Sequence, residues 1–392
     1  MTKSTVILSV CALLYACSPN KTSEPETASL PQIHLVADSF SWTEKRPVRL
    51  TYVAEGDTIE LHGKAKYRGG SSSKYWKHSY ALKLKDAMPL AGLPVAKAFV
   101  INASYIDKTL MRHRFSFDVF RAMNANNIAP KCQYAEVYEN NDYRGIYVIM
   151  ERINAGRVGL KDTEGSVLWK EPLIFYPEMP TPQEASNPHQ QKYPKLKKAD
   201  YTQDLLALRE FLFSSDDEEF VDKVFAFFDK QNLIDWQLIL LLSNNSDGQL
   251  KNMYMYRGGY GAPYKFTLWD YDHSFGRDGD GEYNMLERVI DENRNVLYRR
   301  LNALDPDGFA EAMANRYHHL RSGGLFTLDS LTAILNSYER ELAPHMAKNV
   351  ERWPHDADWY YDDDDFDKEL TIIHQYLDKR FTQLDQRFGY NQ

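Results

Sequence analysis

Residues 233–243, LIDWQLILLLS, form a nearly unbroken apolar run. It is too uniform for an amphipathic surface helix and too short to span a bilayer. Such a run folds as a helix buried on most faces, so the rest of the chain must be built around it. It leads through Ser246-Asp247-Gly248 into two strand-like segments, NMYMYR and KFTLWD, joined by the Gly-rich turn GGYGAP. Antiparallel pairing of these segments brings Asn252, at the start of the first, beside Asp270, at the end of the second. Asp247, Asn252, Asp270 and Asp272 then gather around one hairpin, and their oxygens suit Mg2+, a hard cation that also takes phosphate oxygens and water. On spacing alone two plainer roles stay open: Asp247 as a turn cap and Asp270 as a buried ion-pair partner.

The chain of 392 residues is 43% hydrophobic, enough for one large core or two modest ones. From about residue 33 it reads as one continuous α+β unit. IHLVAD, RPVRLTYVAE, TIELHGKAKYRG, SYALKLKD and KAFVINASY alternate as strands do. A helix is predicted over 108–124 with Asp107 as its N-cap, followed by two strands that turn at Asn140-Asn141-Asp142. Residues 180–200 read as a polar surface loop. Helices are predicted over 201–214, 217–229, 232–243, 308–321, 328–345 and 367–388. A sheet-rich portion thus precedes a helix-rich one, with the acidic hairpin at their seam, where ligand sites favour lying.

Charge and composition exclude several classes. A net charge of -8 argues against nucleic-acid binding, which needs a basic face. The 11 histidines form no H-E-x-x-H or Cys/His cluster, and no G-x-S-x-G elbow is present. RDGDGEYN, residues 277–284, lacks the full order of a Ca2+ loop, and YYDDDDFD, 360–367, reads as a solvated helix start.

The N-terminus carries Lys3 and an apolar run from Val6 to Ala16, the length of a signal-peptide core. It ends in LLYAC, which resembles the lipobox of bacterial lipoproteins, with Tyr15 unusual at its place. That resemblance implies a signal peptide over 1–16, lipidation at Cys17, and an exported protein lipid-anchored to the bacterial cell envelope. Plain secretion with cleavage nearby is the alternative. Residues 17–32, rich in Pro, Ser, Thr and Glu, then read as a flexible tether. Cys11 and Cys17 are consumed by this reading, so Cys132 stands alone and no disulfide is expected.

Asp247 and Asn252 have the D-x-x-x-x-N spacing of a protein-kinase catalytic loop, a weak signal by itself. Five stretches together are more specific: YRGGSSSKYWKHSYALKL, SYIDKTLMRHRF, RGIYVIMERI, SDGQLKNMYMY and LWDYDHSFG, spanning 67–276, with KRFTQLDQRF near the C-terminus. In this order they resemble the spore coat protein H (CotH) family. The resemblance implies a two-lobed atypical protein-kinase-like fold over 33–392, with a sheet-rich N-lobe at about 33–152 and a helix-rich C-lobe at about 153–392. It further implies transfer of the ATP γ-phosphate to Ser/Thr of an envelope or exported protein, with Mg2+ or Mn2+.

Carried over by position, Asp247 is the catalytic aspartate, while Asn252 and Asp270 hold the metal. Asp272 supports the loop. Arg68, Ser71 and Ser72 belong to a short nucleotide-covering turn. Lys77 is the preferred phosphate lysine and Lys83, within a strand, its rival. Arg112 matches the family motif in the first helix. Glu151 either contacts nucleotide or partners a basic residue. The chain departs from ordinary kinases in lacking His-Arg before Asp247, in having DYD for D-F-G, and in lacking G-x-G-x-x-G. A non-catalytic binding or assembly protein is the rival function. A carbohydrate-active enzyme using Asp247 and Asp270 as its carboxylate pair is a third.

Overall fold

The computed structural model describes residues 29–176, 190–277, 286, 289–354 and 365–391, apart from the side chain of Ser71. The signal peptide, Cys17, most of the tether, most of 277–284 and of 360–367, and residues 180–189 of the expected surface loop lie outside the described residues.

Seven strands form a closed barrel: β1 (Gln32–Val36), β2 (Arg46–Ala54), β3 (Asp57–Arg68), β4 (Ser79–Leu90), β5 (Leu93–Asn102), β6 (Cys132–Glu139) and β7 (Asp142–Glu151). Their order is β1-β2-β3-β4-β5-β7-β6, and β6 closes the ring by pairing in parallel with β1, Ile33 opposite Val137. Three connections are two-residue turns with both residues at positive φ, namely Glu55-Gly56, Ala91-Gly92 and Asn140-Asn141. That backbone matches the twist of the flanking strands. The expected tether ends short of residue 32, because Leu30 is already buried and the Pro31 carbonyl accepts from the Glu136 amide at 2.9 Å.

Period-2 alternation divides the barrel residues between two cores. Leu50, Leu82, Phe99, Ile101, Val137 and Ile149 point into the barrel. Val100, Cys132, Tyr134, Ile146, Val148 and Met150 point outward and join the core of the helical portion. β7 is therefore buried on both faces from Gly145 to Glu151, which is why it reads as a continuous apolar run.

α1 (Arg112–Met123) starts four residues later than predicted. Leu110 sits at φ +61, which breaks the helix path, yet Asp107 still acts as a cap: its Oδ2 accepts the Arg112 amide at 2.9 Å. The rest of the chain supplies β8 (Ser166–Lys170), β9 (Gln191–Tyr193), α2 (Thr202–Ser214), α3 (Asp217–Phe227), α4 (Lys230–Ser243), β10 (Met253–Gly258) and β11 (Lys265–Leu268). α5 (Val296–Leu304), α6 (Phe309–Ser322), α7 (Leu328–Arg352) and α8 (Phe366–Phe388) complete it. The four strands pair in the order β11-β10-β8-β9. β9 falls inside the segment read as loop.

α4 is buried from Asn232 to Ser243, as its composition demands. Asp229 caps it, and Asn232 uses its side chain to bond both the amide and the carbonyl of Phe266, fixing β11 against it. α5 was not predicted. Its signals were present in Asn295, which accepts from the Leu297 and Tyr298 amides, and in buried Leu297 and Leu301. α7 continues seven residues past its predicted end because its last turns dock on the barrel. There Asn349 Oδ1 accepts the Ile146 amide at 2.9 Å, and Trp353, just past the helix, donates to the Arg144 carbonyl at 2.8 Å. Among the described residues no helix is long and apolar enough to cross a membrane.

Candidate cation and phosphate site

The β10–β11 hairpin joins its two ends directly. Met253 pairs with Leu268, the Trp269 amide donates to the Asn252 carbonyl, and Asn252 Nδ2 donates to the Asp270 carbonyl at 2.9 Å. That bond uses the amide nitrogen and leaves Asn252 Oδ1 free as an acceptor. Asp270 adopts φ +59, a left-handed conformation that Asp tolerates and that turns the chain sharply beyond the strand. Its carboxylate is half-exposed, and Oδ1 lies 3.2 Å from Nε2 of buried His113 on α1.

Asp272, read as a support for the loop, is placed with this pair: one ligand atom each from His113, Asp270 and Asp272 lie within 4.8 Å of one another. Desolvation, then the neighbouring Asp270, raises the Asp272 carboxyl. Desolvation acts the same way on Asp270. There the hydrogen bond and charge of His113, with Arg68 and Lys170 beyond, prevail and hold it well below the usual carboxylate range. Two crowded carboxylates and an imidazole form a donor set that fits a divalent cation.

α1 organises the loop after Asp270. Arg112 is buried, ion-paired with Asp107 and with Glu369 on α8 at 2.7 Å each, and its Nε donates to the Ser274 carbonyl at 2.8 Å. Glu369 also pairs with Arg277 at 2.7 Å. Phe275 packs on Phe115 and Tyr376, and a Cβ at Gly276, which has φ +91, would strike Ile372 of α8.

Asp247 opens a single 3-10 turn, and its backbone carbonyl accepts the amides of Leu250, Lys251 and Asn252. The metal-side asparagine is thereby tied to the catalytic candidate through the backbone. The Asp247 carboxylate is 30% exposed and pairs with Lys251 at 3.0 Å.

Cations face this acidic group. The Arg68 guanidinium stacks over the Trp269 ring at 5.6 Å, and Trp269 meets Tyr254 edge-on. Lys170 on β8 pairs with Tyr254 across the sheet. Lys64, Lys66 and Arg68 share the outer face of β3, opposite the inward Ala65, and Lys83 lies beside Lys64 on the outer face of β4. Burial, then the charges of Arg152, Lys83 and Lys66, pushes Lys45 down to about 8. The charge of Arg152 also acts on Tyr254 of β10 and on Lys192 of β9.

Lys77 and Glu151 are engaged by groups of the protein itself. Lys77 is buried, donating to the Ile146 carbonyl at 2.5 Å and lying over the Tyr147 ring. Desolvation, then the charges of Lys108 and Arg144, lowers its pKa strongly. It faces the junction with α7, beside Asn349 and Trp353, whereas its rival Lys83 lies on the outer face of β4. Glu151 partners a basic residue: Oε2 accepts from Arg157 Nε and from the Lys131 amide, each at 2.8 Å. The turn at 71–74 is compact, for a Cβ at Gly69 would collide with the Ser72 hydroxyl, and Ser73 donates to the Gly70 carbonyl. His113, Lys45, Lys66, Arg152 and Lys170 escaped sequence reasoning. The run of outward lysines in KAKYR was the one available signal.

The described site thus brings His113, Asp270 and Asp272 together beside the Arg68 side chain that lies over Trp269. The CotH family profile, described as CotH kinase protein, matches residues 65–384, and the chain belongs to that family. It is 24% identical over 326 residues to Inner spore coat protein H of Bacillus subtilis (strain 168), covering 80% of this chain and 84% of that one.

Proposed function

We propose that the chain is a two-lobed, kinase-like phosphotransferase that uses ATP with Mg2+ or Mn2+ to phosphorylate Ser/Thr of an envelope or exported protein. The observation that carries this reading is the apposition of Arg68 to Trp269 and Asp270, which sets the cationic wall of the barrel against the oxygen donors of the hairpin. Asp270 and Asn252 would hold the cation, which would supply neutralisation of the nucleotide phosphate charge. Arg68, Lys66 and Lys83 bind phosphate oxygens from the barrel side. Asp247 orients the acceptor hydroxyl and takes its proton as the hydroxyl oxygen bonds to the γ-phosphorus and the bond to the bridging oxygen breaks, releasing ADP.

In this reading LLYAC directs export and Cys17 anchors the protein to the cell envelope, with residues 17–29 as the tether. A relative named as a spore coat protein supports placement in an outer layer. A non-catalytic binding or assembly role is the second reading, favoured by the burial of Lys77 and the pairing of Glu151 with Arg157. Incubating the purified protein with labelled ATP, Mg2+ or Mn2+ and a generic acceptor protein separates the two. Label on the acceptor or on the protein itself supports the kinase; absence of nucleotide binding under every metal condition leaves the assembly role.

A further inference from the structure

We propose that His113 is itself a cation ligand, completing an imidazole–carboxylate site with Asp270 and Asp272 that prefers Mn2+ over Mg2+. The proposal rests on the reading that this hairpin holds a divalent cation, and it adds which metal and through which atom.

The geometry comes first. Ligands at roughly 2.1 Å from one cation stand about 3–4 Å apart. His113 Nε2 and Asp270 Oδ1 are 3.2 Å apart, and with the Asp272 oxygen all three atoms fall within 4.8 Å. A small carboxylate rotation closes the remainder. The imidazole cannot drift away, because it is buried in the first turn of α1, edge-on to Phe117, on a helix that Arg112 fastens to Asp107 and Glu369. The half-exposed Asp270 carboxylate gives a cation access from solvent.

Chemistry then selects the metal. Mg2+ takes oxygen ligands almost exclusively, whereas Mn2+ accepts an imidazole nitrogen while keeping an oxygen-rich shell that has room for phosphate and water. Asp270 and Asp272 supply the oxygens, and His113 supplies the one nitrogen. The nitrogen that meets Asp270 in the protein alone is the one that would turn to the metal.

The test is pulsed EPR on the purified full-length protein with Mn2+, alone and with a non-hydrolysable ATP analogue, together with Mg2+ competition. The expected wild-type result is nitrogen modulation from a directly coordinated imidazole. In His113→Gln that modulation should vanish and Mn2+ affinity should fall at least about tenfold. Asp272→Asn should keep the modulation while weakening Mn2+. Bound Mn2+ without nitrogen coupling in the wild type overturns the role of His113 and leaves the oxygen site standing. If neither Mn2+ nor Mg2+ binds with the nucleotide analogue, the cation reading of the hairpin fails and this inference with it. The wild-type spectrum decides the matter even where a His113 variant does not fold.

Discussion

Arg112 and Glu369 are 257 positions apart in the chain and meet at 2.7 Å with both side chains shielded from solvent. Through this pair the first helix grips the last, and the Nε of the same guanidinium holds the Ser274 carbonyl in the loop that follows Asp270. Arg112→Met would strand Asp107 and Glu369 as buried charges with reduced compensation. It should destabilise the protein by about 3–5 kcal/mol. Arg112→Lys should recover only part of that loss, since an ammonium cannot span three acceptors in a fixed fork. Urea denaturation of the two variants measures both effects.

The two aspartates should separate binding from chemistry. Asp270→Ala is expected to weaken metal-dependent ATP binding and turnover together. Asp247→Ala should leave binding nearly intact and lower turnover by roughly 10²–10⁴-fold. Calorimetry beside phosphate-transfer assays reads the split, and equal loss of binding in both variants would contradict the assigned roles.

The two lysines make an opposite pair. Lys77 meets a carbonyl and a tyrosine ring inside the protein, so Lys77→Met should leave ATP affinity within about twofold, in line with an apolar replacement of a buried charge. Lys83→Ala, on the cationic wall, should weaken it several-fold and flatten its salt dependence. A larger loss from Lys77→Met than from Lys83→Ala would return the phosphate role to Lys77.

Lys45, beside Arg152, Lys83 and Lys66, gives this cationic face a pH dependence. Its pKa of about 8 means that it carries charge at neutral pH and sheds it on mild alkalinisation. Phosphate affinity should therefore decline between pH 7 and 9, and Lys45→Met should be weaker at pH 7 with a flatter profile. Stability moves in the other direction. Between about 8 and the ordinary value of 10.5 the unfolded chain keeps a proton that the folded one has lost, so this group's contribution rises with pH across that window. Calorimetric titration with ATP at several pH values checks the first, and denaturant midpoints at alkaline pH the second.

Cys17→Ser should abolish lipid labelling and release the protein in soluble form. Retention of that variant on the membrane would count against the lipoprotein reading.

The hairpin and α4 were legible in the sequence because their signals are local: an unbroken apolar run and two alternating segments around a glycine turn. Barrel closure was not, since the pairing of Ile33 with Val137 joins strands a hundred residues apart and leaves no mark on either. The burial of Lys77 was not legible for a related reason. A motif match fixes a position in the chain but not the direction of a side chain, and Lys77 turns toward Ile146 whereas Lys83 lies on the outer face of β4. His113 reads in sequence as one more polar residue in a helix, 157 positions from Asp270, and only the packing of α1 against the loop gives it a partner.

The parallel return of β6 onto β1 closes the barrel, so neither of these two strands is left as a sheet edge where they pair. Along Gly63–Arg68, where β3 is paired on both sides, the wall is presented by side chains and not by backbone. Recognition by this wall can therefore be retuned one outward residue at a time, at Lys64, Lys66 or Lys83, while the hydrogen-bond lattice beneath stays the same.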